Sequence, residues 1–194
     1  MKLLAIYVSP RIRGNSTILM DKFLEAASTG EFIIDRLYLN QLKIKPCQAW
    51  CFPEPGFWCR FDDGMTIVYE KVLSAEAIVV SSPIYFGSLP GQIKVMIDRF
   101  QCYWLVREKE QIPAKPEKRK PAFFLCVEAS HRQDFLQNAK AIMKNFLTTT
   151  GFTYTGEVFC PGVEKEGDIN NHQDYLQAAY QAGISLVNFF SASK

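Results

Sequence analysis

Nine consecutive residues near the N-terminus, Ser9-Pro10-Arg11-Ile12-Arg13-Gly14-Asn15-Ser16-Thr17, bring together hydroxyls, an amide and two guanidiniums. Where such a stretch leads into a helix it suits a phosphate, because the first helical N–H groups lack partners and the dipole end is positive. Arg11 and Arg13 would add charge-assisted hydrogen bonds. The same residue types also make a well-capped polar turn that holds nothing. The stretch reads neither GxGxxG nor GxxxxGK[ST], so a Rossmann dinucleotide fingerprint and a P-loop are both excluded. A second stretch, Ser82-Pro83-Ile84-Tyr85-Phe86-Gly87-Ser88, offers a proline and two aromatics, surfaces suited to a flat ring system. Gly87 would let backbone approach the ligand edge. The competing reading is a hydrophobic turn tucked beneath the next helix.

The cysteines are a third candidate. Cys47, Cys51 and Cys59 lie within thirteen residues among Trp50, Phe52, Phe57 and Trp58. Three thiolates fall short of the four that an iron-sulfur cluster ordinarily takes. A zinc ion would have to find its fourth ligand elsewhere in the chain. Cys102, Cys126 and Cys160 sit in apolar segments and read as small hydrophobes. His131 is either near a ligand or on a surface turn, and His172 stands at a polar helix start. Lys94 and Asp98 form an i,i+4 pair. Residues 104–120, with six basic and three acidic residues, read as a polar connector that would either be solvated or meet a nucleotide phosphate.

Apolar runs and helical patterns that would position these residues alternate along the chain. Leu3 to Val8 is a continuous β-type run, the mark of a strand buried on both faces. Asn15 and Ser16 are cap candidates for the helix that follows, closed by Gly30. Strands are predicted at Ile33–Leu39, Ala77–Ser81, Pro121–Val127 and Phe152–Phe159. Further helices are predicted from Asp62 to Ser74, from Leu89 to Tyr103, after a capping box at Ser130–Gln133, and near the C-terminus. Residues 40–62 read as irregular. Strict alternation of five strands with five helices argues for a parallel sheet covered on both faces, and right-handed crossovers make it doubly wound. Ligands of such sheets sit outside the carboxyl ends of the strands where the strand order reverses. Both candidate loops follow strands, the first and the third.

The 194 residues suit one domain, 1–194, with an aromatic and cysteine-bearing insertion at about 40–62. With 22 Lys and Arg against 20 Asp and Glu, the chain lacks the lopsided basic charge of a nucleic-acid binder. No segment nears the roughly 18 apolar residues that span a bilayer, and the N-terminal apolar run meets Pro10 and Arg11 rather than a cleavage site. A cytoplasmic location is expected, with the cysteines as thiols or metal ligands rather than a disulfide framework.

Taken together, SPRIRGNST, PCQAWC with CRFDDGM, and SSPIYFGSLPGQIKVMIDRF resemble the NADPH-dependent FMN reductase family of flavodoxin-like proteins, and within it the iron-sulfur flavoproteins. The resemblance is carried by about the first hundred residues. It implies a flavodoxin-like, doubly wound α/β fold: a five-stranded parallel sheet of order 2-1-3-4-5 with helices on both faces. Ser9, Arg11, Arg13, Asn15, Ser16 and Thr17 would hold the FMN phosphate. Pro83, Ile84, Tyr85, Phe86 and Gly87 would line the ring, and the loop Glu128-Ala129-Ser130-His131 would touch its far edge. NAD(P)H would be the co-substrate, with no catalytic acid or base required, and a flavin, quinone or redox protein the acceptor. An electron carrier without NAD(P)H activity is the alternative, and a homodimer or homotetramer is implied. The cluster motif of iron-sulfur flavoproteins would place its inner ligands at Trp50 and Pro53, which cannot bind iron, so the set at Cys47, Cys51 and Cys59 is incomplete and no cluster is expected.

Overall fold

The computed structural model describes residues 1–54, 57–109 and 119–192. Five strands form the main sheet: β1 (Lys2–Tyr7), β2 (Ile33–Tyr38), β5 (Ala77–Pro83), β6 (Pro121–Val127) and β7 (Thr153–Cys160). All pairings are parallel and the order is β2-β1-β5-β6-β7, which is 2-1-3-4-5 counted within the sheet. The order reverses between β1 and β5. Among the described residues six α-helices accompany it: α1 (Asn15–Ala27), α2 (Met65–Ser74), α3 (Gly91–Arg99), α4 (Gln101–Lys109), α5 (Gln133–Thr149) and α6 (Gln173–Ser191).

Alternation along β1 shows why the sheet is buried on both sides. Leu4 and Ile6, with Val8 just beyond, face a core shared with α2, α3 and α5, through Val68, Ile93, Met96, Ala139 and Met143. Leu3, Ala5 and Tyr7 face the opposite core, built with α1 and α6 through Leu19, Phe23, Ala179 and Leu186. Each such Leu or Ile, removed from water, contributes about 1.5–3 kcal/mol. The helix pair α1–α6 packs closely because residue 183 is glycine: a Cβ there would lie 2.4 Å from the Phe23 carbonyl oxygen.

Several sequence expectations shift. The segment read as irregular contains a small antiparallel pair, β3 (Cys51–Glu54) with β4 (Phe57–Cys59). The helix predicted over Leu89–Tyr103 is two helices, and the second carries the chain through 109, so residues 104–109 of the expected connector are helical; residues 110–118 lie outside the described part. Gly14, not Asn15 or Ser16, is the N-cap of α1. No capping box forms at Ser130, because α5 begins at Gln133 with Arg132 as its N-cap and no side-chain cap bond. Asp63 takes up the capping task at α2, where its Oδ1 accepts the Met65 N–H at 3.0 Å. Among the described residues no helix is long and apolar enough to cross a membrane.

Candidate functional site

The loops after β1, β5 and β6 meet over the carboxyl edge of the sheet and enclose a cavity of about 240 Å³. From the first loop come Ser9, Arg11, Gly14, Asn15 and Ser16; from the second, Pro83, Ile84 and Tyr85; from the third, Val127, Glu128 and Ala129. Val163 and Glu164, beyond β7, close the remaining side.

The first loop is held by its own polar atoms. The Arg11 N–H donates to Ser9 Oγ (3.1 Å), and the Arg11 carbonyl accepts from the Gly14 N–H (3.1 Å) and Thr17 Oγ1 (3.2 Å). Gly14 permits this fold-back: a Cβ there would stand 2.8 Å from Ser9 Oγ. The chain enters α1 with the helix N-terminus at the cavity wall, where the free first-turn N–H groups and the dipole favour an anion. Arg11 is exposed at the rim.

The Asn15 side chain does a different job from the one expected. Its amide donates to the Lys165 carbonyl at 2.7 Å, and its Oδ1 accepts the Ile169 N–H at 3.3 Å. It stitches the last loop to the start of α1 and leaves its backbone N–H for an anion. Thr17 is buried with its hydroxyl spent on Arg11, and Arg13 is exposed; neither lines the cavity.

The second loop starts as a continuation of the sheet, with the Ile84 N–H donating to the Val127 carbonyl (2.9 Å). It then turns sharply. Tyr85 and Ser88 exchange backbone hydrogen bonds of 2.9 and 3.0 Å around Phe86 (φ 49°) and Gly87 (φ 73°), the positive-φ pair of a type I′ turn. A Cβ on Gly87 would meet the Phe135 ring at 2.8 Å. Phe86, fully exposed, sits in a conformation bulky residues rarely adopt. Tyr85 is on the cavity wall, while Phe86 and Gly87 are beyond it.

In the third loop Glu128 is buried and pinned by its backbone: its N–H donates to the Cys160 carbonyl (3.0 Å) and its carbonyl accepts the Val163 N–H (2.9 Å). Ser130 Oγ donates to Glu128 Oε2 at 3.0 Å. The His131 ring rests against Gly162, where a Cβ would approach to 2.9 Å. Ser130 and His131 stand outside the cavity wall and Ala129 is on it. The sequence reading missed Gly14, Val127, Val163 and Glu164 as wall residues. A glycine closing the turn before a helix was the available signal for the first; nothing local marks the 163–164 loop.

The residues flanking the cysteine segment are drawn together by a buried charge. Arg99 is completely buried, and its guanidinium binds Asp63 (Nη1–Oδ2 2.7 Å) and donates to the Lys45 carbonyl (2.9 Å). Its Cζ lies 4.9 Å from the Phe61 ring centroid, and Tyr69 Oη donates to the Arg99 carbonyl at 2.6 Å. Burial opposes ionisation of Asp63, but Arg99 and the N–H groups of Lys45 and Met65 outweigh it and hold the carboxyl below its ordinary value. Cys47 and Cys59 are free and partly exposed; the side chains of 51–58, Cys51 among them, lie outside the described residues. Among the described residues no group of three or more His, Cys, Asp or Glu is placed to hold a metal ion. Cys126 and Cys160 are buried thiols, and burial raises both, Cys160 to about 12. Cys102 departs from the expected thiol: it is disulfide-bonded, on a helix, α4, that packs against β3.

The cavity offers the surfaces that a phosphorylated flat ligand requires. The loop after β1 offers an anion cradle, Pro83 to Tyr85 an apolar wall, and Glu128 Oε1 a buried acceptor with no partner among the described residues. Comparison with known proteins agrees. Over 99 residues the chain is 33% identical to an iron-sulfur flavoprotein of Methanosarcina thermophila, covering 51% of this chain and 52% of that protein. The chain thus spans about half the length of the curated relatives it matches. An NAD(P)H:quinone oxidoreductase from Methanothermobacter marburgensis shares the fold at 18% identity (TM-score 0.74, 96% of each chain). So does an FMN-dependent NADH-azoreductase of Bacillus anthracis solved in complex with FMN (16% identity, TM-score 0.71, 96% of this chain and 99% of that one). The NADPH-dependent FMN reductase family model matches residues 1–159, a span that takes in every wall of the cavity except Val163 and Glu164, and the chain belongs to that family.

Proposed function

We propose that the protein binds FMN in the cavity over β1, β5 and β6 and passes reducing equivalents from NAD(P)H to an acceptor such as a flavin, a quinone or a redox protein. The observation that carries this reading is the meeting of an anion-binding helix start and an apolar turn at the point where the strand order reverses. Bound FMN would supply hydride acceptance and electron release in one- or two-electron steps.

The chain's part is placement. The first turn of α1 and Arg11 would hold the phosphate, the one strongly charged end of the ligand. Pro83, Ile84 and Tyr85 would support the ring, with the Tyr85–Ser88 turn fixed by its paired backbone bonds. None of the wall residues needs to move a proton for a hydride to arrive from a nicotinamide.

Exposed Trp50, Trp104, Tyr85 and Phe86 favour self-association into a homodimer or homotetramer, since aromatic surface of this kind is ordinarily covered. Titrating the purified protein with FMN and following its absorbance, then supplying NADH or NADPH anaerobically, tests the reading. FMN uptake followed by bleaching of the flavin bands is expected. Uptake without bleaching would make the protein an electron carrier, and no uptake would overturn the flavin reading altogether.

A further inference from the structure

Glu128 is out of character for its surroundings. It follows seven buried strand residues, is 4% exposed, and lines the cavity. A buried carboxylate oxygen without a hydrogen bond is costly, and native structures satisfy such groups almost without exception. Oε2 is satisfied by Ser130, but Oε1 has no partner among the described residues. Both backbone polar groups are committed to Cys160 and Val163, which fixes the main chain from which the side chain enters the cavity wall.

We propose that Glu128 Oε1 is a ligand acceptor, receiving a hydrogen bond from an uncharged donor of the flavin, its ring imide N–H or a ribityl hydroxyl. This rests on the flavin reading given above and goes beyond it by assigning the residue that fixes the ligand's direction. A phosphate carries no N–H and repels a carboxylate, so it cannot be the group that meets Glu128. The phosphate therefore sits at the β1 loop with Arg11, and the donor-bearing part of the ligand lies towards the β6 loop. An acceptor in this place also discriminates against ligands that present a second anionic group there.

Glu128→Gln is the informative variant. Its carbonyl can keep the Ser130 bond while an amide N–H replaces Oε1, setting a donor against the ligand's donor. Titrating the wild type and E128Q with FMN and with 3-methyl-FMN, alongside the melting temperature of the ligand-free proteins, gives the test. FMN binding is expected to weaken at least tenfold in E128Q, with no fall in ligand-free melting temperature, because no satisfied bond has been removed. If the imide is the donor, 3-methyl-FMN binds more weakly than FMN to the wild type and the gap closes in E128Q. If a ribityl hydroxyl is the donor, both flavins lose the same factor. Unchanged FMN affinity in both E128Q and Glu128→Met, the second of which offers no oxygen acceptor in any orientation, overturns the proposal. So does an E128Q variant that melts earlier or fails to fold, since Glu128 would then be structural. A wild type that binds no FMN brings down the flavin reading itself, and the two failures are distinguishable.

Discussion

At the carboxyl ends of β1, β5 and β6 the chain is held by backbone hydrogen bonds and short polar side chains, whereas Lys45 and Asp63, which flank the cysteine segment, share one buried guanidinium. The cavity loops begin on parallel strands whose register fixes them. The cysteine segment leaves the sheet after β2 and depends on Arg99, supplied from α3, to reach the Asp63 carboxylate and the Lys45 carbonyl. The difference teaches where each region is fragile. A loop spread over many small bonds tolerates loss of any one, but a buried ion pair does not tolerate loss of one partner.

Breaking that pair should therefore have the largest effect. Asp63→Asn leaves a buried Arg99 uncompensated and is expected to cost about 3–5 kcal/mol in urea denaturation. FMN affinity should change less than threefold, because neither residue lines the cavity. The effect depends on pH in a defined direction. The folded-state pKa of Asp63 lies below its unfolded value, so the stabilisation is complete above about pH 4 and is lost as pH falls through the folded value. The gap between wild type and D63N should accordingly close in acid.

On the cavity side, Arg11→Met removes a charge-assisted bond of about 1.5–3 kcal/mol, so FMN affinity should fall roughly 10- to 150-fold. Riboflavin, which lacks the phosphate, should bind the variant and the wild type alike; equal losses for both would show that Arg11 acts through the fold. Gly87→Ala sharpens the contrast within the second loop. A positive φ together with a 2.8 Å approach to Phe135 should lower stability by about 1–2 kcal/mol, read as an earlier melting transition. The smallest effect is expected one residue earlier. Phe86→Gly relieves a positive φ and should raise stability by up to about 1 kcal/mol. If Phe86 covers the ring or a second copy of the chain, the same variant should bind flavin more weakly or dissociate more readily in sedimentation.

How much of this was legible in the residues depends on the range of the interaction. The buried strands were, because continuous apolar runs such as Leu3–Val8 and Pro121–Val127 have few other readings. The polar and aromatic loops were legible as candidates, since the types of Ser9, Arg11, Pro83 and Tyr85 are local facts. Their distribution about the cavity was not. Asn15 has the right chemistry for a phosphate, yet its side chain is spent on Lys165 and Ile169, residues 150 and 154 positions away. Nothing local marks Arg99, and only the path of the chain between Lys45 and Asp63 makes it a buried anchor. The break between α3 and α4 at Phe100 and the bonding of Cys102 were hidden for the same reason, being set by what the helices pack against.

The stitch from Asn15 to the loop before α6 has a consequence for synthesis. The first turn of α1 is synthesised before its anchors, the carbonyl and N–H of Lys165 and Ile169, and α6, which presses on α1 at Gly183, comes later still. A nascent chain that has completed four strands of the sheet still lacks the fixed anion cradle. Closure of the cradle thus waits on the segment from Lys165 to α6, and deleting that segment should loosen the first turn of α1.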